Sequence, residues 1–261
     1  MLSSLQPKIK ALVLDMDGVL WRASQPVGDL AAVFARINAL GLQVICATNN
    51  STSTPAQFSK KLAGMGVQLD PNCIINSALA SAHYLKKQHP AGGPVYLVGE
   101  IGLQQAMQEL GFWQAEKDVL AVVAGMDRQF SYAKLAAANR LIRDGARFIG
   151  TNQDKTFPTP AGLAPGSGSV LAAIEAASGV TPTIMGKPSP FLYQVALDRL
   201  STSPLETLAV GDRLETDVLG GQRAGMRTAL VLSGVSTPHN LADWPTPPDL
   251  VAADLAELLG N

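Results

Sequence analysis

The chain has 261 residues, of which 47% are hydrophobic, and a formal net charge of −1. This length allows one large domain or two smaller ones with buried cores. Near-neutral charge without a long run of one sign argues against a nucleic-acid surface or an electrostatic membrane anchor. The apolar stretches are too short to span a membrane, residues 1–10 lack the apolar core of a signal peptide, and Cys46 and Cys73 are expected to be reduced. We therefore expect a cytoplasmic protein.

Short apolar runs, typical of buried strands, alternate along the chain with longer segments of helical spacing. The predicted strands are residues 9–15, 42–48, 95–98, 119–124, 147–150, 183–185, 207–211 and 228–232, with a further strand at Ile74 and Ile75. The predicted helices are residues 28–40, 103–110, 132–144, 170–177, 190–200 and 217–224, with two more through Phe58 and Leu85. The alternation predicts an α/β fold, a doubly wound parallel sheet with helices on both faces.

One Pro/Gly-rich segment interrupts this alternation. Residues 88–94 read Gln-His-Pro-Ala-Gly-Gly-Pro, and a second series of strands and helices follows before Thr181 and Pro182. We interpret the second series as a layer of its own that is inserted into the first. The sequence therefore predicts a discontinuous core domain, residues 1–88 and 182–261, with an inserted α/β domain at residues 89–181.

Two acidic residues follow the first predicted strand. Asp15 and Asp17 lie on either side of Met16, and the turn that continues into Gly18 can bring both carboxylates into one cleft. Crowded carboxylates repel each other, and a hard cation such as Mg²⁺ relieves the repulsion. Asp15 could then act as a nucleophile while Asp17 donates a proton to a leaving oxygen. A turn without chemistry, in which the Asp side chains bind nearby backbone, is the alternative.

Polar residues also follow later strands, and ligands of an open parallel sheet bind outside the carboxyl ends of its strands. Thr48, Asn49 and Asn50 precede a helix, where side-chain donors and helix N-terminal amides suit a phosphate. An ordinary helix cap is the alternative. Lys187 lies between a glycine and a proline, and its ammonium group could neutralise a phosphoryl oxygen. A solvated loop lysine is the alternative there.

A third acid, Asp212, stands at the end of the predicted strand 207–211. Asp15, Asp17 and Asp212 together would form a carboxylate-rich pocket, which favours Mg²⁺ over Zn²⁺. The chain has three histidines at scattered positions, so we assign them no metal role. Asp217 is predicted to orient its neighbours or to cap the helix that follows.

Four segments occur in a defined order along the chain: residues 15–19 (Asp-Met-Asp-Gly-Val), 48–50 (Thr-Asn-Asn), 186–188 (Gly-Lys-Pro) and 211–212 (Gly-Asp). In this order and spacing they resemble the signature of the haloacid-dehalogenase (HAD) superfamily of phosphohydrolases. Residues 124–127, 151–154 and 165–169 look like the NagD and nitrophenylphosphatase branch of that superfamily. The resemblance implies a Rossmann-like core with an inserted α/β cap domain.

The resemblance also implies a chemistry. In such enzymes Asp15 would attack phosphorus to form an aspartyl phosphate, and Asp17 would protonate the leaving oxygen and later activate water. Mg²⁺ would be held by Asp15, Asp212 and the main-chain carbonyl of Asp17. Thr48, Asn49 or Asn50, together with Lys187, would hold the phosphoryl oxygens of a small-molecule phosphate monoester.

Other readings of function remain open from the sequence. A phosphotransferase or mutase could use the same scaffold, and a sensor could bind a phosphorylated ligand without turnover. Within the insert, residues 156–159 combine a proline turn with one aromatic ring, so Phe157 is our candidate for reading the substrate, with packing in the insert core as the alternative. An insert with exposed apolar strands could also pair with a second copy to form a homodimer.

Overall fold

The structure is a computed structural model that describes residues 2–159 and 162–260. Its strands, numbered along the chain, are β1 (Ala11–Leu14), β2 (Trp21–Arg22), β3 (Gln25–Pro26), β4 (Gln43–Thr48), β5 (Ile74–Asn76), β6 (Gly93–Val98), β7 (Phe112–Gln114), β8 (Ala121–Ala124), β9 (Arg147–Gly150), β10 (Thr156–Thr159), β11 (Gly162–Pro165), β12 (Thr183–Ile184), β13 (Thr207–Gly211), β14 (Arg227–Val231) and β15 (Leu250–Ala252).

Its α-helices are α1 (Leu30–Ala39), α2 (Pro55–Ala63), α3 (Ser77–Gln88), α4 (Ile101–Glu109), α5 (Tyr132–Arg143), α6 (Ser167–Ser178), α7 (Phe191–Leu200), α8 (Leu219–Arg223), α9 (Pro238–Ala242) and α10 (Leu255–Leu259). A π-helical turn, Leu214–Val218, directly precedes α8. Among the residues that the structure describes, no helix is long and apolar enough to cross a membrane.

The first of two compact units contains the residues up to Thr48, Ala56–Ile75, and the residues from Lys187 onward. Its six-stranded sheet has the order β15-β14-β13-β1-β4-β5. Strand β1 lies between β13 and β4 and runs parallel to both. Its Ala-Leu-Val-Leu sequence is buried at every position, which is typical of a parallel strand that is covered on both faces.

Register brings the ends of these strands to one edge of the first sheet. Leu14, the last residue of β1, pairs with Val210 of β13 and with Cys46 of β4. Because parallel strands end at the same edge, the residues that follow β1, β4 and β13 emerge together. This edge is where the acidic segments predicted from the sequence arrive.

The second unit contains Asn49–Pro55 and Asn76–Gly186. Its five strands have the order β12-β9-β8-β6-β7, and every neighbouring pair is parallel. Helix α3 packs against α4, and α5 packs against α6. Strands β10 and β11 form a separate antiparallel hairpin. The unit has its own apolar core, with Val98, Val122 and Ile174 fully buried.

The α/β class predicted from the sequence is confirmed. The boundaries of the two observed units, however, lie at other residues than the boundaries of the predicted domains. The sequence places the start of the insert at residue 89, whereas α3 already belongs to the second unit. The sequence places the return to the core at residue 182, whereas β12 is hydrogen-bonded to β9 of the second sheet. A two-residue strand has the same local pattern in either sheet, so only its pairing shows where it belongs.

Candidate active site

Lys187 is the centre of a buried group of charges in the first unit. Its side chain is 3% exposed, and Nζ lies 2.5 Å from Asp15 Oδ1 and 2.6 Å from Asp217 Oδ1. Nζ also donates a hydrogen bond of 3.1 Å to the carbonyl oxygen of Ala47. Burial lowers the pKa of Lys187, but the two carboxylates more than offset this and hold that pKa well above its usual value. The lysine is therefore a permanent cation.

Three carboxylates lie around Lys187. Asp15, Asp212 and Asp217 each offer one oxygen, and these oxygens lie within 4.8 Å of one another. With Lys187, three carboxylates and one ammonium group make a net charge of −2 when all are ionised. Burial, partly offset by Lys187, raises the pKa of Asp15 well above its usual value. Burial, and then repulsion from Asp217, raises the pKa of Asp212 to about 6. These four groups therefore carry more negative than positive charge.

The surroundings of Asp212 fit a metal ion. The Asp212 side chain is buried, and its Oδ1 is a buried atom without a hydrogen-bond partner, although buried acceptors are usually paired. Its Oδ2 accepts a hydrogen bond of 2.7 Å from the Val235 amide. A Cβ atom at Gly18 or Gly234 would collide with this carboxylate, and Gly18 also has a φ of +87°. The glycines hold the carboxylate close to the turn after β1, with one oxygen available to a cation.

Asp17 lies in the turn after β1, and its side chain is exposed. Its Oδ1 accepts a hydrogen bond of 2.8 Å from the indole nitrogen of Trp21. Asp15 and Asp17 thus differ in environment, since Asp15 belongs to the buried charge cluster and Asp17 faces solvent. Two carboxylates in such different settings can take different chemical roles.

The predicted phosphate-binding residues fall in different units. Thr48 is buried at the end of β4 in the first unit, whereas Asn49 begins a segment of the second unit. The Asn49 carbonyl accepts hydrogen bonds from Ser77 Oγ at 2.5 Å and Asn152 Nδ2 at 2.8 Å. Asn50 Oδ1 accepts from the Thr52 amide at 2.9 Å, so this oxygen stabilises the local turn.

Phe157 lies on β10 of the second unit and is half-buried. The guanidinium carbon of Arg128 lies 6.0 Å from the centre of its ring, and Arg128 is itself paired with Glu100 at 2.7 Å. A cation at this distance over an aromatic face is attracted by it. The Phe157 ring therefore lies beside a pair of charged side chains and not in a purely apolar core.

The structure adds residues that the sequence pattern did not select. Trp21 binds Asp17, and the Tyr193 hydroxyl donates to the Asp217 carbonyl oxygen at 3.1 Å. Asp217 itself contacts Lys187 directly, beyond the general orienting role predicted for it. The four-residue spacing of Asp17 and Trp21 across a glycine turn is the one local signal that could have indicated their contact.

Comparison with known proteins gives a consistent result. Residues 12–113 match the model of haloacid dehalogenase-like hydrolases, and residues 184–258 match the HAD-hydrolase-like model. The acid sugar phosphatase of Staphylococcus aureus is 36% identical over 253 residues, 97% of each protein. NagD from E. coli K-12 has a TM-score of 0.90 at 34% identity, covering 95% of this chain and 98% of NagD.

A third relative was solved with a metal. The glycerol phosphate phosphatase of Mycobacterium tuberculosis, in complex with magnesium, has a TM-score of 0.90 at 30% identity and covers 96% of this chain and 76% of that one.

The chain belongs to the haloacid dehalogenase-like hydrolases. Within that family it is a phosphatase of the NagD-like branch that acts on small phosphorylated substrates, with a Rossmann-like core and a cap. The membership predicted from the four sequence segments is confirmed.

Proposed function

We propose that this phosphatase hydrolyses phosphate monoesters in a Mg²⁺-dependent reaction, through an acyl phosphate on Asp15 (an aspartyl phosphate). The observation that carries the proposal is the buried cluster of Asp15, Asp212 and Asp217 around one lysine. Such a concentration of buried negative charge destabilises the fold unless a bound ligand neutralises it, because buried charges require compensation. A divalent cation would supply that compensation, and it would also attract the anionic phosphoryl group of a substrate.

The residues present fit Mg²⁺. Oxygen ligands are what this ion prefers, and the cluster combines three carboxylates with the unpartnered Oδ1 of Asp212. We propose that Asp15, Asp212 and the main-chain carbonyl of Asp17 hold the ion, with Asp217 orienting Lys187. When bound, Mg²⁺ supplies electrostatic stabilisation for the charge that develops on the phosphoryl oxygens. The magnesium complex of the Mycobacterium tuberculosis relative supports this choice of metal.

The side chains of this chain carry the bond changes. A carboxylate oxygen of Asp15 forms a bond to phosphorus as the bond from phosphorus to the leaving oxygen breaks. The carboxyl group of Asp17 gives its proton to that leaving oxygen, which departs as an alcohol. Asp17, now a carboxylate, takes a proton from water, and the resulting hydroxide attacks phosphorus. The bond between phosphorus and the Asp15 oxygen breaks as this attack occurs, inorganic phosphate leaves, and both aspartates return to their first state.

Lys187 would stabilise the transferring group because it is a fixed cation beside the proposed nucleophile. Phosphoryl transfer is catalysed mainly by positioning and charge, which a buried ammonium group provides without reorganisation. We propose that Thr48, Asn49 and Asn50 donate hydrogen bonds to the same phosphoryl oxygens. The Asn50 side-chain oxygen accepts from the Thr52 amide, so the donor from this side chain would be Nδ2.

The relatives named acid sugar phosphatase and glycerol phosphate phosphatase support a small sugar or polyol phosphate as the substrate. A screen of phosphate monoesters with and without Mg²⁺ would rank sugar phosphates, pyridoxal phosphate, phosphoglycolate, glycerol phosphate and nucleotides. Cytoplasmic location and a homodimer formed through the second unit are further proposals. Sedimentation of the purified chain tests the dimer.

The intermediate is tested with Asp17→Asn and p-nitrophenyl phosphate. Nitrophenolate leaves without help from an acid, so Asp15 should still be phosphorylated, but water should attack slowly once the base is gone. We expect a nitrophenolate burst of about one equivalent per enzyme, turnover slowed by about a hundredfold or more, and one phosphoryl group on the peptide that contains Asp15. Wild-type protein, quenched in the same way, is the control. Slow turnover with neither burst nor phosphopeptide would contradict the covalent route.

A further inference from the structure

The turn after β1 closes on Trp21 in two ways. The Gly18 amide donates a hydrogen bond of 2.7 Å to the Trp21 carbonyl, and the Trp21 amide donates one of 3.2 Å to the Met16 carbonyl. The indole nitrogen then donates its 2.8 Å hydrogen bond to Asp17 Oδ1. The Trp21 side chain is buried, whereas Asp17 is exposed. A rigid, buried ring therefore holds a carboxyl group that would otherwise rotate in solvent.

Lys61 of α2 fixes the ring itself. Its Nζ lies 3.8 Å from the centre of the Trp21 ring and donates a hydrogen bond of 3.1 Å to the Ala23 carbonyl. A cation over the face of an indole is attracted by the negative face of the π system. Ala23 has a φ of +54°, so the hairpin of β2 and β3 turns tightly at the residue that Lys61 binds. Lys61 thus ties α2 to both the ring and the turn that follows it.

We propose that Trp21 is a positioning residue that directs the proton of Asp17, with Lys61 holding the indole in place. In a protonated carboxyl group the carbonyl oxygen is a better acceptor than the hydroxyl oxygen, so Oδ1, which accepts from Trp21, is the carbonyl oxygen of the protonated acid. The proton is then on Oδ2, the oxygen free to face the leaving group. When the Oδ2–H bond breaks, the proton passes to the leaving oxygen and the electron pair stays on Oδ2. The inference rests on the proposed role of Asp17 as general acid.

The test compares two substrates that differ in their need for an acid. Phenyl phosphate releases a weakly acidic phenol and needs a proton donor, whereas p-nitrophenyl phosphate releases a stable anion. Trp21→Phe keeps a ring under Lys61 and removes the N–H donor. We expect kcat/KM to fall by about tenfold for phenyl phosphate and by less than about threefold for p-nitrophenyl phosphate. Trp113→Phe, the same change at an exposed tryptophan of the second unit, should change neither value.

The result that overturns the inference is an equal fall, or no fall, for the two substrates. The variant Asp17→Asn distinguishes a wrong role for Trp21 from a wrong general-acid role for Asp17. If Asp17→Asn lowers kcat/KM more for phenyl phosphate than for p-nitrophenyl phosphate and Trp21→Phe does not, only the role of Trp21 is wrong. If Asp17→Asn shows no selectivity, the general-acid assignment itself is wrong. Combining both substitutions should add no further selectivity to that of Asp17→Asn, because Trp21 acts through Asp17.

Lys61 offers a second route if Trp21→Phe fails to fold, as judged by thermal unfolding. Lys61→Met removes the cation over the ring and should slow phenyl phosphate selectively, by a smaller factor than Trp21→Phe would. Lys61→Arg keeps a cation that can stack on the indole and should restore the ratio of the two substrates. Equal effects of Lys61→Met and Lys61→Arg on that ratio would overturn the role of Lys61.

Discussion

The two units are built alike but differ in how they balance charge near the carboxyl ends of their strands. In the second unit, Glu100 after β6 is paired with Arg128, and Asp127 after β8 is paired with Lys134. In the first unit, by contrast, three carboxylates after β1 and β13 lie around one buried lysine, Lys187. Both are parallel α/β sheets, so architecture does not set the chemistry. Uncompensated charge marks the edge where ligands are expected.

The comparison predicts the largest effect for Asp15→Asn. An amide cannot attack phosphorus as a carboxylate does, so kcat should fall by more than about a thousandfold. Asp127→Asn is the matched substitution at a buried, lysine-paired aspartate of the second unit, and it should keep kcat within about threefold. Both are measured with p-nitrophenyl phosphate at saturating Mg²⁺. Near wild-type hydrolysis by Asp15→Asn would refute the nucleophile.

The two units should also differ in how much stability they lose when a paired lysine is removed, and Lys187→Met tests this in the first unit. Removing the cation leaves the carboxylates of Asp15 and Asp217 buried without their ion-pair partner, which should lower the free energy of unfolding by about 3 to 5 kcal/mol. Lys134 is one-third exposed (33%) beside Asp127, so Lys134→Met should lower it by only about 1 kcal/mol. Urea unfolding of both variants without Mg²⁺ measures the difference. Equal losses would mean that the two edges are not electrostatically different.

The affinity for Mg²⁺ should depend on pH through Asp212. Its pKa of about 6 means that metal-free protein carries a proton there below that pH, and Mg²⁺ must displace it. The dissociation constant should rise by at least about tenfold per pH unit below 6, because the raised pKa of Asp15 can add to the effect of Asp212. Because the pKa of Asp212 is raised on folding, its contribution to metal-free stability is lost as pH rises through about 6. Calorimetric titration that gives the same affinity at pH 5 and pH 7 would contradict this assignment.

The smallest effect is expected in the second unit. Phe157→Ala should change the ratio of kcat/KM between a sugar phosphate and p-nitrophenyl phosphate by about threefold to tenfold, because a partly buried apolar contact contributes about 1 kcal/mol to discrimination, the low end of the usual range. Leu163→Ala, at an exposed position of the same hairpin, is the control. A ratio that is unchanged by Phe157→Ala would leave Phe157 as a packing residue of the unit.

Much of the fold could be predicted because parallel α/β structure has a strong local pattern. Buried strands such as β1 and β13 are continuous apolar runs, and helices such as α1 and α5 show apolar residues at helical spacing. The rule that ligands meet the carboxyl ends of strands then led to the acidic segments. For the short strand β12 the sequence predicts a place in the core, whereas the structure pairs it with β9 of the second sheet. Two residues contain no information about their partner strand.

Residue identity and order along the chain were sufficient to determine the α/β class, the family and the acidic strand ends, since these depend on local periodicity and short motifs. Tertiary structure alone decided that Lys187 bridges Asp15 and Asp217, that Asp212 has an unpartnered oxygen, and that Trp21 holds Asp17. The physical reason is distance. The spacing between Asp15 and Lys187 in the chain says nothing about the 2.5 Å between their charged atoms, which is set by the packing of the strands that bring them together.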